Sequence, residues 1–453
     1  MRPWSLAATS LLVGTAACVV DPTAAPRTPS GRAPAPVARP SAGPAAAAAG
    51  LHGRLERHDG LRVLRLWGTP AERGYAHGAL LADDIAQIMR LEFAARFAAA
   101  PGLLDQARAA LPRLIEYPDD VRAELDALWR GVRAAGVDLD MPALGRSFDR
   151  ADLDVANALD VFGLMGCSGF TVWGDDVVGG GVLTARNFDW PLTGAHMLAQ
   201  TLLIVQRLPD GRQTASLSWP GYVGTVTGVS DDGVAASLHV GSAQPRLPEP
   251  SSWPASIAAR QVLESSARGE GRLAQAQAYI EYTSPPIGFL THVVLPDVPA
   301  QGSPAAVFEA DARRCVRGRS DQGAVVVTNH FLSRRDGAGA SGDSLGRHQA
   351  LQQRLGDCAA LGDRRVDVAE AWRALAGVEA GGGRFFGTLH ALVFRHEPWV
   401  FEVRVGALDA DGAVLAAPSG GRRHRLSREE VFGAADGAWR NPDPAGADGP
   451  AAR

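Results

Sequence analysis

The sequence predicts an α+β fold in which two packed sheets carry helices on their outer faces. Three observations lead there. A helical texture fills the folded chain up to Gly166. Strand-like runs then follow one another from Phe170 to Val240, separated by short Gly, Asp and Pro turns. Helical patterns return and give way to further strands and a closing hairpin. Strands, helices and strands in succession suggest stacked layers.

The 453-residue chain opens on Arg2 and an apolar run, Leu6 to Ala17, too short for a stable membrane anchor. Residues 1–18 read as an export signal. The run ends Thr15-Ala16-Ala17-Cys18. That is either a bacterial lipoprotein box with Cys18 lipidated, or plain secretory cleavage near Ala17. The protein is therefore expected to be exported: periplasmic, membrane-anchored or secreted. Residues 19–50 are rich in Ala, Pro, Ser, Gly and Arg and predict a disordered spacer.

A helical segment is expected over 51–166. Arg62 to Trp67 alternates as a strand. Thr69, Pro70 and Glu72 then form a capping box with proline at the first helical position. That helical pattern runs to about Ala100, and others cover Pro118–Ala135 and Ala151–Leu164.

The main region spans 167–440. Its first strands are expected at Phe170–Trp173, Val182–Phe188, Thr201–Leu208, Thr214–Trp219, Val223–Val229 and Val234–Val240. Helices follow near Ser252–Ser266 and Arg272–Tyr282, then strands at Leu290–Leu295, Ala305–Glu309 and Ala324–Thr328. Helices near Ser344–Leu355 and Val366–Ala376 precede a hairpin of Thr388–Arg395 with Trp399–Val405. Residues 441–453 predict a disordered tail.

Composition narrows the function. The chain is 46% hydrophobic and 21% charged, with net charge −4, which suits a large core and leaves no footprint for nucleic acid. It contains no lysine, which excludes Schiff-base chemistry on a lysine. The 4 cysteines lie at positions 18, 167, 315 and 358, without C-x-x-C or His-rich zinc spacing, so no metal or other cofactor is expected.

The chemistry centres on Gly166-Cys167-Ser168-Gly169-Phe170 and, beyond a glycine turn, Arg186-Asn187-Phe188-Asp189-Trp190. Cys167 reads as a hidden amino terminus, with self-cleavage between Gly166 and Cys167. A free thiol has a pKa of about 8.5 and an α-amine about 8, so a terminal cysteine carries its own base near neutrality. Gly166 offers no side chain to obstruct attack on its carbonyl. The turn Val178-Gly179-Gly180-Gly181 would send the next strand back and return Arg186 and Asp189 to the cysteine. The carboxylate could hold the new ammonium, and the arginine a carboxylate or substrate oxygen. Taken singly, a lone cysteine is usually a small buried hydrophobe, and R-x-x-D is usually a surface ion pair. The rest of the pattern raises these residues above that.

Together with G-T-P-A-E-R-G-Y-A-H-G at 68–78, P-G-Y-V-G-T-V-T-G-V-S at 220–230, T-N-H-F at 328–331, S-L-G-R at 344–347 and T-L-H-A-L-V-F at 388–394, these marks resemble the acyl-coenzyme A:6-aminopenicillanate acyltransferase family. These are self-cleaving N-terminal-nucleophile hydrolases. More distantly, the chain is similar to choloylglycine and penicillin V hydrolases. The resemblance covers about Arg62 to Gly406. It implies a four-layer αββα sandwich, cleavage before Cys167 into two pieces that stay partners, and hydrolysis or acyl transfer at a linear amide through a Cys167 thioester. It also implies that Asp189 orients the α-amine, Arg186 is a pocket arginine, Asn329 donates to the oxyanion and Arg347 supports the cysteine end. His239 stands where the family often has an oxyanion-donating asparagine, so its charge would vary with pH. His77, His330 and His390 read as structural.

The expected partner is a small acylated amine or N-acyl compound. The acyl pocket is expected from Trp190–His196, Pro220–Thr225 and Pro285–Leu290. Two other functions compete. One is a tethered binding lipoprotein that keeps the fold without the chemistry. The other is a papain-like thiol hydrolase pairing Cys167 with a histidine, which would want the cysteine at a helix N-terminus.

Overall fold

A computed structural model of the chain describes residues 50–158, 166–191, 196–243, 248–286, 288–296, 303–313, 315–318, 323–334, 340–360, 365–380, 386–408, 415–416, 418–433 and 439. The expected signal with Cys18, nearly all of the spacer, the tail, and the end of the third helix at 159–164 lie outside them.

Two large sheets form the centre. Among the described residues the larger has nine strands, in spatial order Gly53–His58, Leu61–Leu66, Leu202–Arg207, Gln213–Ser218, Thr227–Ser230, Ala235–Val240, Phe289–Val294, Ala305–Ala310 and Cys315–Gly318. The smaller has six, ordered Ala324–Val327, Gly166–Trp173, Val182–Pro191, Phe386–Arg395, Val400–Val405 and Arg423–Arg425.

Side-chain alternation assigns the faces. Leu392 and Phe394 point into the core between the sheets, where they join Phe401 and Val403 of the same sheet and Val63, Leu203, Val205 and Leu217 of the other. Their neighbours Ala391 and Val393 face outward against Leu351, Trp372 and Leu375 of the helices Gly342–Ala360 and Val368–Ala376. That is the period-two rule of a strand buried on both faces. On the outside of the larger sheet, Leu64, Leu66, Leu202 and Ile204 pack on the amino-terminal helices. Val234, Ala236, Val293 and Phe308 pack on the helices Ala255–Glu264 and Gly269–Glu281. The result is the four-layer αββα sandwich.

The capping box is present: Glu72 N–H donates to Thr69 Oγ1, and Thr69 N–H to the Glu72 carboxylate. The helix it starts, Pro70–Leu80, lies hard against Asp119–Ala134. A Cβ on Gly74 or Gly78 would sit 2.0 Å from the Glu124 or Leu128 carbonyl oxygen. The two glycines of the 68–78 motif are therefore close-approach residues. Between these helices Arg73 and Glu124 are buried, and Glu124 accepts from Arg260 Nη2 at 2.6 Å. The turn after the Cys167 strand needs its glycines too: Gly179, Gly180 and Gly181 have φ of 78°, 73° and 80°.

Some elements differ from expectation. The helical pattern expected to run to Ala100 is broken at Leu81, whose φ is −120°. It resumes as Ala82–Ile88, widens into a π-helical turn at Met89–Phe93 and ends at Ala94–Phe97. A helix at Pro101–Leu114 was not expected; Pro101 stands at its first position, where the missing N–H costs nothing. The strand expected at Val223–Val229 is confined to Thr227–Ser230, because Thr225 N–H donates to the Ser256 carbonyl instead of a strand. Strand Gly53–His58 was also missed.

Candidate active site

Cys167 is the second residue of its strand and is fully buried. The return strand pairs antiparallel with it, Gly166 opposite Asp189 and Cys167 opposite Phe188. That register, fixed by the glycine turn, brings Arg186 and Asp189 to Cys167. Arg186 Nη2 donates to Cys167 Sγ at 2.9 Å, and the thiol donates to the Leu238 carbonyl at 3.2 Å. Arg186 also donates to the carbonyls of Leu238 and Val226. These carbonyls tie the guanidinium to the other sheet.

Asn329 and Arg347 come from the far side of the strand. Asn329 follows strand Ala324–Val327, which pairs with the Cys167 strand. Its Oδ1 accepts from the Cys167 backbone N–H at 2.9 Å, and its Nδ2 donates to the Val240 carbonyl at 2.9 Å. Arg347 lies in the first turns of the helix Gly342–Ala360. It donates to the Cys167 carbonyl at 2.5 Å and to Asn329 Oδ1 at 2.8 Å. Its Nη1 is 3.9 Å from Asp189 Oδ2. Ser344 on the same helix accepts from Asn329 N–H at 2.8 Å and so fixes the asparagine backbone.

Asp189 is buried. Its Oδ1 accepts from Thr388 Oγ1 at 2.6 Å, while its Oδ2 has no hydrogen-bond partner among the described residues. A buried carboxylate oxygen left without a donor is rare enough to require an explanation. Burial raises the Asp189 pKa above the carboxylate range, against the opposing pull of the Thr388 hydroxyl and Arg347. Burial likewise pushes the Cys167 thiol up, against the Arg186 charge. In the intact chain the thiol is therefore held protonated at neutral pH.

His239 is placed differently from Asn329. Its ring lies beside Gly169 between the sheets, its Nε2 is 3.3 Å from Ser237 Oγ, and its Nδ1 has no partner. Burial and the nearby Arg186 charge depress its pKa well below the usual imidazole value. The expectation that its charge varies near neutrality is thereby corrected: it is neutral throughout that range. His77 Nε2 accepts from Gly221 N–H at 2.9 Å, and burial lowers its pKa to about 4. His390 is 3.0 Å from Thr227 Oγ1, and His330 is 2.8 Å from Ser344 Oγ. Among the described residues no histidine hydrogen-bonds the Cys167 sulfur.

An apolar cleft opens beside Cys167. Phe188 and Val226 line it, and both border Cys167 in one buried cluster. Its walls include Trp190, Trp219, Pro220 and Tyr222, and its enclosed volume is about 70 Å³. Of the expected Pro285–Leu290 wall, residue 287 lies outside the described residues and none of the others lines the cleft. In its place stand Ile85, Ile88, Met89 and Phe93, from the helix and π turn of the amino-terminal segment. Of the expected Trp190–His196 wall, residues 192–195 lie outside the described residues. Sequence reasoning missed these helical residues, together with Thr388 and Ser344. The helical ones recur at helix spacing, a signal identical to that of a core-facing stripe.

No family model matches the chain. Over 227 residues, 46% of its length, it is 29% identical to an uncharacterised protein of Archaeoglobus fulgidus, covering 37% of that protein. Over 185 residues, 37% of its length, it is 28% identical to protein dcd1B of Dictyostelium discoideum, covering 36% of it. The chain thus spans just over a third of the length of these curated relatives. Among solved structures it is similar to the Caenorhabditis elegans ortholog of N-acylethanolamine-hydrolyzing acid amidase, with TM-score 0.38 and 16% identity over 51% of this chain and 93% of that one. For a mutant conjugated bile acid hydrolase from Clostridium perfringens the values are 0.36 and 11%, over 59% and 98%. For penicillin V acylase from Agrobacterium tumefaciens they are 0.35 and 15%, over 53% and 83%.

Proposed function

We propose that this chain is an exported, self-processing cysteine amidohydrolase or acyltransferase of the N-terminal-nucleophile kind, related to the acyl-coenzyme A:6-aminopenicillanate acyltransferase family. The observation that carries the reading is the Oδ2 of Asp189, which accepts no hydrogen bond among the described residues, has Arg347 Nη1 no nearer than 3.9 Å and is buried at the register position opposite Gly166. A cut before Cys167 creates an ammonium, the donor that this oxygen lacks.

The processing step balances as follows. Cys167 Sγ attacks the Gly166 carbonyl carbon, the peptide C–N bond breaks, and the thiol proton passes to the departing nitrogen. Water then cleaves the thioester, leaving a Gly166 carboxylate and a free terminal Cys167. In turnover the terminal amine takes the thiol proton as Sγ attacks the substrate carbonyl. The amine returns that proton to the leaving amine. Water or a second amine then removes the acyl group from sulfur. Arg186, 2.9 Å from Sγ, favours the thiolate through both cycles.

Intact mass and amino-terminal sequencing of purified protein test this. Two fragments are expected, the second beginning at Cys167, and Cys167→Ala should give one uncut, inactive chain. A single uncut wild-type chain that hydrolyses amides would sink the proposal. Export is tested by fractionation of Cys18→Ser: release from membranes supports a lipid anchor, and unchanged fractionation supports a plain secretory signal.

A further inference from the structure

The cleft beside Cys167 is walled by aromatic and aliphatic side chains, and the charged residues on its wall are Glu92 and Arg96. Arg96 sits on the short helix Ala94–Phe97 after the π turn, its guanidinium carbon 5.0 Å over the Trp190 ring. Among the described residues it makes no hydrogen bond and no close ion pair. Other arginines of this segment do: Arg62 pairs with Asp84, and Arg90 with Asp138 at 2.8 Å. Burial pulls the Arg96 pKa down and the Glu92 charge opposes that, but a guanidinium stays protonated under any such shift. Stacking on an indole occupies the face of the guanidinium and leaves its N–H edge open.

The return strand fixes where this cation stands. Phe188, opposite Cys167, begins the cleft. Trp190 is two residues on, hence on the same face, with its ring 5.8 Å from that of Phe188. Arg96 covers Trp190. An acyl group bonded to Cys167 Sγ would run along Phe188, then Trp190, and end at Arg96.

Resting on the thioester reading above, we propose that Arg96 recognises an anionic far end of the acyl group. The substrates are then amides of ω-carboxyacyl groups, half-amides of straight-chain dicarboxylic acids. A carboxylate would meet the open edge of the guanidinium in a two-bond fork, while the methylene chain lies on the two aromatic rings.

Two measurements test this. The first compares kcat/KM for anilides of dicarboxylic half-acids with anilides of monocarboxylic acids of equal length. A charge-assisted pair predicts a preference of about tenfold to a hundredfold for the half-acid, carried by KM. Arg96→Leu should erase that ratio, and Arg96→Lys should restore part of it. The second is calorimetry on the Cys167→Ala protein, titrated with straight-chain dicarboxylates and monocarboxylates. Tighter dicarboxylate binding that vanishes when Arg96→Leu is added supports the assignment without any turnover. Amide hydrolysis with no carboxylate preference overturns Arg96 alone. Arg96-dependent dicarboxylate binding in a wild-type protein that cuts no amide overturns the thioester reading and leaves the anion site standing. Equal binding of both acid series overturns the anion site.

Discussion

Asn329 Oδ1 is shared by two donors, the Cys167 backbone N–H at 2.9 Å and Arg347 Nη2 at 2.8 Å. The nitrogen it holds is the one that would depart in the proposed cut before Cys167. Replacing Asn329 with Leu should therefore slow processing as well as turnover. The change also removes the Nδ2 amide, and losing an oxyanion donor, the role expected of it in turnover, costs about a hundredfold to a thousandfold in rate. Band densitometry over time and amide hydrolysis measure the two effects. Undiminished processing would mean that the contact to nitrogen does not matter to the cut.

Arg186 offsets part of the burial that raises the Cys167 thiol pKa. Arg186→Gln should move the alkaline rise of the pH–rate profile to higher pH and lower the neutral rate by about a hundredfold. An unshifted profile would separate the arginine from thiolate stabilisation.

Asp189 carries a pKa raised by burial. Between its unfolded pKa and its raised folded value, the native state binds more protons than the unfolded state. Stability therefore falls as pH rises through that window. In the uncut Cys167→Ala chain, where no ammonium faces the carboxylate, adding Asp189→Asn should raise Tm at neutral pH, and the gain should shrink below the unfolded carboxylate pKa. In the self-processing protein Asp189→Asn should abolish activity. A double variant less stable than Cys167→Ala at neutral pH would contradict the sign.

His239, held neutral by burial and by Arg186, should not shape the pH profile. His239→Asn is expected to leave the profile between pH 6 and 8 unchanged in form, because imidazole titration is displaced below that range. A flattened profile would return His239 to the site as a titrating group.

Glu124 is buried with Arg73 and Arg260 around it. Glu124→Ala leaves the buried Arg73 without its carboxylate and Arg260 with Glu264 alone, and should cost about 3–5 kcal/mol of stability. Chemical denaturation of the uncut Cys167→Ala protein measures this.

Much of the layer order could be read from the sequence, because the apolar run Thr388–Arg395 and the turn glycines 179–181 are local signals. The candidate residues Cys167, Arg186, Asp189, Asn329 and Arg347 were legible as motif positions. What each one touches was not. The partner of Arg186 is as much the Leu238 and Val226 carbonyls as the sulfur, and carbonyls leave no mark in a sequence. The cleft wall at Ile85–Phe93 was also hidden, because an apolar helical stripe looks the same whether it faces a core or a ligand. The π turn within it follows from backbone packing and has no simple residue signature.

Strand Leu61–Leu66 is inserted in the larger sheet, parallel to Leu202–Arg207, and the helix after it is locked onto Asp119–Ala134. With the chain severed before Cys167, this strand and its helix pair would no longer be joined by a covalent link to Leu202–Arg207 and the rest of the sheet. Unfolding the mature protein would then release two molecules, and regaining the sheet would become a second-order event. Its recovery from denaturant should depend on protein concentration, while the uncut Cys167→Ala chain refolds at a rate independent of it. The lifetime of the mature form would rest on slow unfolding rather than on a reversible equilibrium.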